Sequence, residues 1–190
     1  MNLVLIRHSK SLIDPNIPIN KWGLSSEGVK LAEKLNKIPQ VKSLDVLYSS
    51  LQPKALETAA LATKDTRIEI KTDDRLTEST SFTNKFISPE LLEQNTIKYY
   101  SNMNVGFNGG ESFEQSLVRF NLAMEDITKA EADKKSVGIV SHGNILTAFT
   151  SQFVNKGTYE LHESMGYPDI AVLNWDTKQF TTFFGDVLSC

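Results

Sequence analysis

The sequence predicts an α/β fold: a mostly parallel central sheet, helices packed against it, and a C-terminal antiparallel hairpin. Three observations carry the prediction. Residues 3–6 and 136–141 are short, largely apolar runs of strand length, as expected of strands buried on both faces. Stretches of helical periodicity separate the strand-like runs, the alternation that builds parallel sheets. Near the C-terminus, residues 170–175 and 179–184 read as two strands joined by a turn at Asp176-Thr177-Lys178, a hairpin expected at an edge of the sheet.

The first strand, residues 3–6, runs straight into Arg7 and His8. A polar loop follows over residues 9–20, broken by Pro15 and Pro18. Trp22-Gly23-Leu24 leads into a helix that Ser25 or Ser26 can cap, with Val29, Leu31, Ala32 and Leu35 on its apolar face and Ile38-Pro39 as its close. A second strand over 44–48 ends in Ser49-Ser50, and residues 51–62 form a helix with Pro53 in its first turn. A third strand over 68–71 leads to the segment Asp73 to Glu78.

Residues 79–110 then break the α/β rhythm. They are polar but hold Phe82, Phe86, Tyr99, Tyr100 and Phe107, with a possible helix over 89–101, and they read as a lid or binding insertion. Ser112 and Gln115 make a capping box for a helix whose core stripe is Leu117, Phe120, Met124 and Ile127. The strand 136–141 ends at His142, a helix is expected over 144–154, and His162 reads as an ordinary loop residue.

The 190 residues fit one domain with a sizeable core, taken as residues 1–190 with the insertion at about 79–110. A hydrophobic content of 40% and a charged content of 23% are those of an ordinary soluble globular protein. A net charge of −3 speaks against a chain-wide nucleic-acid surface. The one cysteine, Cys190, rules out a disulfide framework. No secretory leader and no membrane span is read from the sequence, so a cytoplasmic location is expected.

Two of the three histidines directly follow buried strands, His8 with Arg7 beside it and His142 in His142-Gly143-Asn144. Either alone could be a satisfied side chain at a strand end. As a pair they suggest an anion site at the carboxyl edge of the sheet, with a nucleophile or proton carrier inside it. Lys54, in a helix first turn that favours anions, would taken alone be a surface lysine. Glu78 alone would be an exposed loop carboxylate. No HExxH, carboxylate cluster or Cys-His set has metal-ligand spacing, so neither metal nor cofactor is expected.

Taken together, these residues resemble the histidine phosphatase superfamily, the phosphoglycerate mutase-like family. The family's strand with Arg-His-Gly is matched at residues 3–9, with Ser9 where glycine is usual. Its Leu-Ser/Thr-x-x-Gly helix start is matched by Leu24 to Gly28, and its Ser-Ser-x-x-x-Arg-Ala-x-x-Thr-Ala segment by Ser49 to Ala59. Its Leu-x-Glu, Gly-Glu-Ser and second His-Gly segments are matched by Leu76-Thr77-Glu78, Gly110-Glu111-Ser112 and His142-Gly143. The matches fall in the family's order over nearly the whole chain. The resemblance implies a three-layer sandwich of the phosphoglycerate mutase-like type and a metal-independent histidine acid-type phosphatase, a phosphoric monoester hydrolase.

It also implies roles. His8 is the nucleophile that forms a phosphohistidine, Arg7 holds two phosphoryl oxygens, His142 stabilises transition-state charge, and Glu78 is the general acid and then base. Lys54 stands where a phosphate-binding arginine is expected; it keeps the charge but loses the fork, at a cost of about tenfold in rate. Alternatively it points to solvent, with Lys10 or nothing replacing the arginine. Asp14 falls where an asparagine often contacts phosphate, and its charge argues against that role.

The expected partner is a small phosphorylated metabolite, with no nucleic acid and no membrane. The few lid cations, Lys85 and Lys98 against Glu90 and Glu93, argue against a substrate with several phosphates, and the lid aromatics suit an apolar or ring-bearing part. Two alternatives stand beside the phosphatase. One is a phosphoglycerate mutase, which the modest length disfavours. The other is a degenerate, non-catalytic phospho-ligand binder, suggested by Lys54 and Ser9.

Overall fold

One six-stranded sheet runs through the structure, a computed structural model that describes residues 1–79 and 86–186. Its strands are β1 (Asn2–Arg7), β2 (Val46–Ser49), β3 (Glu69–Thr72), β4 (Ser136–Ser141), β5 (Asp169–Asn174) and β6 (Gln179–Thr182), in the order β3-β2-β4-β1-β5-β6. The first four in that order are mutually parallel. β5 runs antiparallel to β1, and β6, at the sheet edge, runs antiparallel to β5. The C-terminal hairpin therefore extends the parallel sheet beyond β1. β2 and β3 begin one or two residues later than the sequence suggests, a shift of strand ends rather than of topology.

The seven helices among the described residues are α1 (Ser26–Leu35), α2 (Pro39–Lys42), α3 (Pro53–Ala62), α4 (Pro89–Ser101), α5 (Phe113–Ala130), α6 (Gly143–Thr150) and α7 (Thr158–Ser164). Alternation along β1 assigns them to two faces. Leu3 and Leu5 pack in one cluster with Phe120, Met124 and Ile127 of α5 and Phe149 of α6. Val4 and Ile6 pack in another with Leu35 of α1 and Ala55 and Ala59 of α3. This is the three-layer arrangement, with β4 and all of β1 after Asn2 buried at its centre.

Local chemistry sets the helix starts. The Ser25 hydroxyl accepts the Gly28 N–H at the head of α1, and Ser112 and Gln115 form the reciprocal capping box of α5. Pro39 does not simply close α1. It opens the single turn α2, where a first-turn proline loses no hydrogen bond. α6 ends at Thr150, short of the expected 154.

His162 corrects the sequence reading: it lies on α7, not in a loop. That helix is a short, largely polar one pinned by buried Leu161, and so polar a segment carries little periodic signal. α4 occupies the expected span. A third cluster of Tyr99, Tyr100, Phe113 and Ala148, joined by Phe107, packs it on α5 and α6. Most of the insertion's described aromatics thus form a core of their own; Phe82, Lys85 and Cys190 lie outside the described residues. No helix among the described residues is long and apolar enough to cross a membrane.

Candidate active site

The strand register builds the site. Arg7 is paired with Ser141 across β1 and β4, and the next residue on each strand is a histidine. The His8 N–H donates to the Ser141 carbonyl at 2.9 Å. The two imidazoles consequently meet edge to face, with ring centroids 5.0 Å apart. Both are buried.

On the His8 ring, Nδ1 lies 2.7 Å from the carbonyl oxygen of Ser9. A carbonyl only accepts, so Nδ1 carries the proton and Nε2 keeps a free lone pair. Burial, then the charges of Lys54 and Arg7, hold the His8 pKa well below the usual histidine value. The ring is neutral at physiological pH, the state a nitrogen nucleophile needs.

His142 Nε2 lies 2.8 Å from the Ser50 hydroxyl, while its Nδ1 is buried with no partner. Its pKa is also held well below the usual value, by burial first and then by the neighbouring His8 and Lys54. Arg7 donates from Nη1 to the Met165 carbonyl at 2.8 Å and from Nη2 to the Tyr167 hydroxyl, and its guanidinium stacks 3.6 Å from the Tyr167 ring centroid. Arg7 Nε is buried and unpartnered. Sequence reasoning misses Tyr167 and the Met165 carbonyl. They reach Arg7 from about 160 residues away, and nothing local marks them.

Lys54 is not the solvated lysine its helix position suggests. It is 6% exposed, with its main-chain N–H on the Trp22 carbonyl at 3.1 Å and Nζ 3.4 Å from the Ile19 carbonyl. Burial brings its pKa down to about 8, against the opposing pull of Glu78. Its charge is felt by His8, His142 and Glu78, so it belongs to the same cluster. Lys10 is no substitute; it pairs with Glu27 at 2.6 Å on the surface. Asp14 accepts the Asn16 N–H at 2.9 Å within its loop. Ser9 is fully buried and donates to the Gly28 carbonyl at 2.7 Å.

Glu78 also departs from the exposed carboxylate that its loop position alone suggests. Its Oε2 accepts the Asn144 N–H at 3.0 Å, and its Oε1 accepts those of Ile145 at 3.0 Å and Ser79 at 2.8 Å. The carboxylate therefore sits on the N-terminus of α6, which begins immediately after His142. Burial raises its pKa despite these donors and Lys54. The chain leading to it is held in turn by Arg119, whose Nη1 donates to the carbonyls of Arg75 at 2.5 Å and Thr77 at 3.1 Å. Glu111 grips Arg119 through two bonds of 2.8 and 2.6 Å, which gives the Gly-Glu-Ser segment a structural role.

Arg7, His8, Lys54, Glu78 and His142 thus converge at the carboxyl ends of four parallel strands. The cluster offers a free imidazole lone pair, a permanent cation, a second buried amine, an imidazole nitrogen without a partner and a carboxyl group biased towards its neutral form. Such a set can bind an oxyanion, attack its central atom and protonate a leaving group. Among the described residues no group of three His, Cys, Asp or Glu side chains is placed to hold a metal ion.

No curated protein matches the chain. Solved structures do. Mycobacterial glucosyl-3-phosphoglycerate phosphatase superposes with a TM-score of 0.80 at 16% identity, over 98% of this chain and 99% of that one. Entamoeba histolytica phosphoserine phosphatase, solved with 3-phosphoglyceric acid, gives 0.76 at 22% identity over 96% of each chain. Bacillus stearothermophilus YhfR gives 0.76 at 22%, over 98% of this chain and 97% of that one. At these identities the likeness shows a common fold. The family model for the histidine phosphatase superfamily (branch 1) matches residues 3–183, and the chain belongs to that superfamily.

Proposed function

We propose that the protein is a metal-independent phosphomonoesterase for a small phosphorylated metabolite, working through a phosphohistidine on His8. One observation carries the reading: Arg7 Nε and His142 Nδ1 are buried without partners, and the His142 ring meets that of His8, with ring centroids 5.0 Å apart. A buried donor left unpaired costs about 1–3 kcal/mol. Two such groups in one cluster suit a phosphoryl group, which accepts from Arg7 Nε and, with the Ser50 hydroxyl donating to His142 Nε2, from His142 Nδ1–H.

In the first step His8 Nε2 attacks phosphorus as the bond to the ester oxygen breaks, while Ser9 takes the developing imidazolium proton's hydrogen bond at Nδ1. Arg7, Lys54 and His142 hold the equatorial oxygens and offset their charge. Glu78 gives its proton to the departing oxygen, so the alcohol leaves neutral. In the second step Glu78 takes a proton from water as that water attacks phosphorus. The N–P bond breaks, and His8 and inorganic phosphate are released. The protein cations supply the positive charge the reaction needs.

Two structural neighbours are named as phosphatases of glucosyl-3-phosphoglycerate and phosphoserine, which supports a small phosphate monoester as substrate. The reading takes residues 1–190 as one domain with 79–110 as an insertion over the site. Lys98, Glu90 and Glu93 are solvent-exposed and add no charge to the cluster.

The test is hydrolysis of p-nitrophenyl phosphate with chelator present, native protein against His8→Ala. Turnover that survives the chelator and disappears in the variant is the expected result; activity in His8→Ala sinks the mechanism. The buried lysine at the arginine position favours a second reading, a phospho-ligand binder without turnover. Native protein that binds phosphate, is inactive and gains activity with Lys54→Arg would establish that reading.

A further inference from the structure

Glu78 is gripped from two sides by one helix. Its Oε1 accepts the Ser79 N–H at 2.8 Å, and the Ser79 hydroxyl lies 2.7 Å from the hydroxyl of Tyr99 on α4. Its Oε2 accepts the Asn144 N–H at 3.0 Å, and the next residue of α4, Tyr100, donates its hydroxyl to Asn144 Oδ1 at 2.8 Å. Each carboxylate oxygen is thus linked, through one intervening residue, to one of two consecutive tyrosines.

The Ser116 hydroxyl donates to the Phe113 carbonyl at 2.8 Å, so its oxygen is free to accept the Tyr99 O–H, also at 2.8 Å. Tyr99 Oη then accepts from Ser79, which makes a directed chain from Ser79 through Tyr99 and Ser116 to the α5 backbone. Tyr99 is fully buried, and burial pushes its pKa up to about 12, so it remains a donor. On the other branch Tyr100 Oη, its proton committed to Asn144, lies 2.9 Å from His162 Nδ1 of α7.

We propose that Tyr99 and Tyr100 are positioning residues for Glu78, so that α4 sets the aim of the general acid. The asymmetry of the carboxyl group sharpens the assignment. Oε1 already takes two N–H donors and Oε2 takes one, so the acidic proton belongs on Oε2, the oxygen governed through Asn144 by Tyr100. A carboxyl group anchored on only one side would turn about its own axis, and its proton would miss the leaving oxygen. The proposal rests on Glu78 as general acid, and its test separates the two claims.

The measurement is kcat/KM for two substrates in each of five proteins. One substrate is p-nitrophenyl phosphate, whose leaving group needs little protonation. The other is an alkyl phosphate such as glycerol phosphate, whose alkoxide cannot leave without a proton. The proteins are native, Glu78→Gln, Tyr99→Phe, Tyr100→Phe and Ser79→Ala; the last cuts the Tyr99 branch while leaving the packing of α4 intact. Each tyrosine variant is expected to lose about tenfold on the alkyl ester and under about threefold on the aryl ester, with Tyr100→Phe the larger. Glu78→Gln should show the same selectivity, more strongly. If Glu78→Gln is selective but the tyrosine and serine variants lose nothing, or lose equally on both esters, the positioning role is overturned and the acid stands. If Glu78→Gln falls equally on both esters, the acid assignment fails and the positioning role fails with it.

Discussion

The backbone of Gly143 lies directly against the guanidinium of Arg7: a Cβ on this glycine would stand 2.8 Å from Arg7 Nη2 and 3.0 Å from its Cζ and Nε. Such contacts are shorter than real side chains make, so the guanidinium and a methyl group cannot share the space. Arg7 is already fixed by Met165 and Tyr167, so it can yield only by giving up that geometry. Gly143→Ala is therefore expected to lower kcat/KM for p-nitrophenyl phosphate by about 100-fold, the scale of a 1 Å misplacement. Inhibition by inorganic phosphate should weaken in parallel. Thermal stability should fall as well, because Arg7 gives up buried bonds to Met165 and Tyr167, an effect that the better helix propensity of alanine only partly offsets. Unchanged kinetics would mean that Arg7 does not hold the phosphoryl group.

Under the proposed mechanism Lys54 should give the site a basic limit that an arginine would not. With a pKa brought down to about 8, the ammonium loses its proton as pH rises through that value, and phosphoryl oxygens lose a cation. The kcat/KM profile is expected to fall above about pH 8, and Lys54→Arg to move that fall to higher pH. Lys54→Met should remove the limb, lower activity by about 10- to 100-fold and raise the His8 pKa, because Lys54 is the largest charge holding that pKa down. A basic limb that survives Lys54→Met belongs to another group.

Ser9, where the family has glycine, is accommodated rather than disruptive. Its hydroxyl donates to the Gly28 carbonyl and its N–H to the Thr58 hydroxyl at 3.0 Å, so the residue is satisfied and fully buried. It joins the loop after β1 to α1. A Cβ on Gly28 would lie 2.0 Å from the Lys10 carbonyl, which shows how closely the two run. Ser9→Gly should therefore cost about 1–2 kcal/mol in denaturant melts and leave kcat/KM within about threefold. A large gain in activity would instead identify Ser9 as a catalytic defect.

The elements most legible in the sequence were those whose burial is local. β1 and β4 are short, largely apolar runs, and the residues at their ends, Arg7, His8 and His142, could be paired before the register was known. α5 announced itself through a capping box, and α4 occupies the span where the sequence marks a possible helix. Lys54 and Glu78 were not legible from their own surroundings, since what buries them comes from elsewhere in the chain: the Trp22 turn for one, the head of α6 for the other. For these two the family resemblance supplied the expected role and the fold supplied the environment. Tyr167 and His162 had no signal at all, because their contacts on Arg7 and Tyr100 exist only once α7 and β5 are in place.

His162 supplies a check on that hidden environment. Burial holds its pKa down to about 4, against an ordinary value of 6.5. In the unfolded chain the imidazole takes a proton as pH falls through 6.5; in the folded protein it does so only near 4. Between those values the unfolded state binds more protons, so stability contributed by the neutral ring is complete above 6.5 and lost progressively towards 4, up to about 3 kcal/mol. Glu78 and Asp169 act in the opposite sense. Their pKa values are raised by burial, so acid relieves part of their cost and total stability cannot isolate the histidine. The difference between native protein and His162→Asn can, since asparagine keeps a polar atom facing Tyr100 without titrating. The native advantage in melting temperature is expected to be constant above 6.5 and to shrink, then reverse, as pH approaches 4. A difference independent of pH would show that the ring is hydrated at its contact with Tyr100.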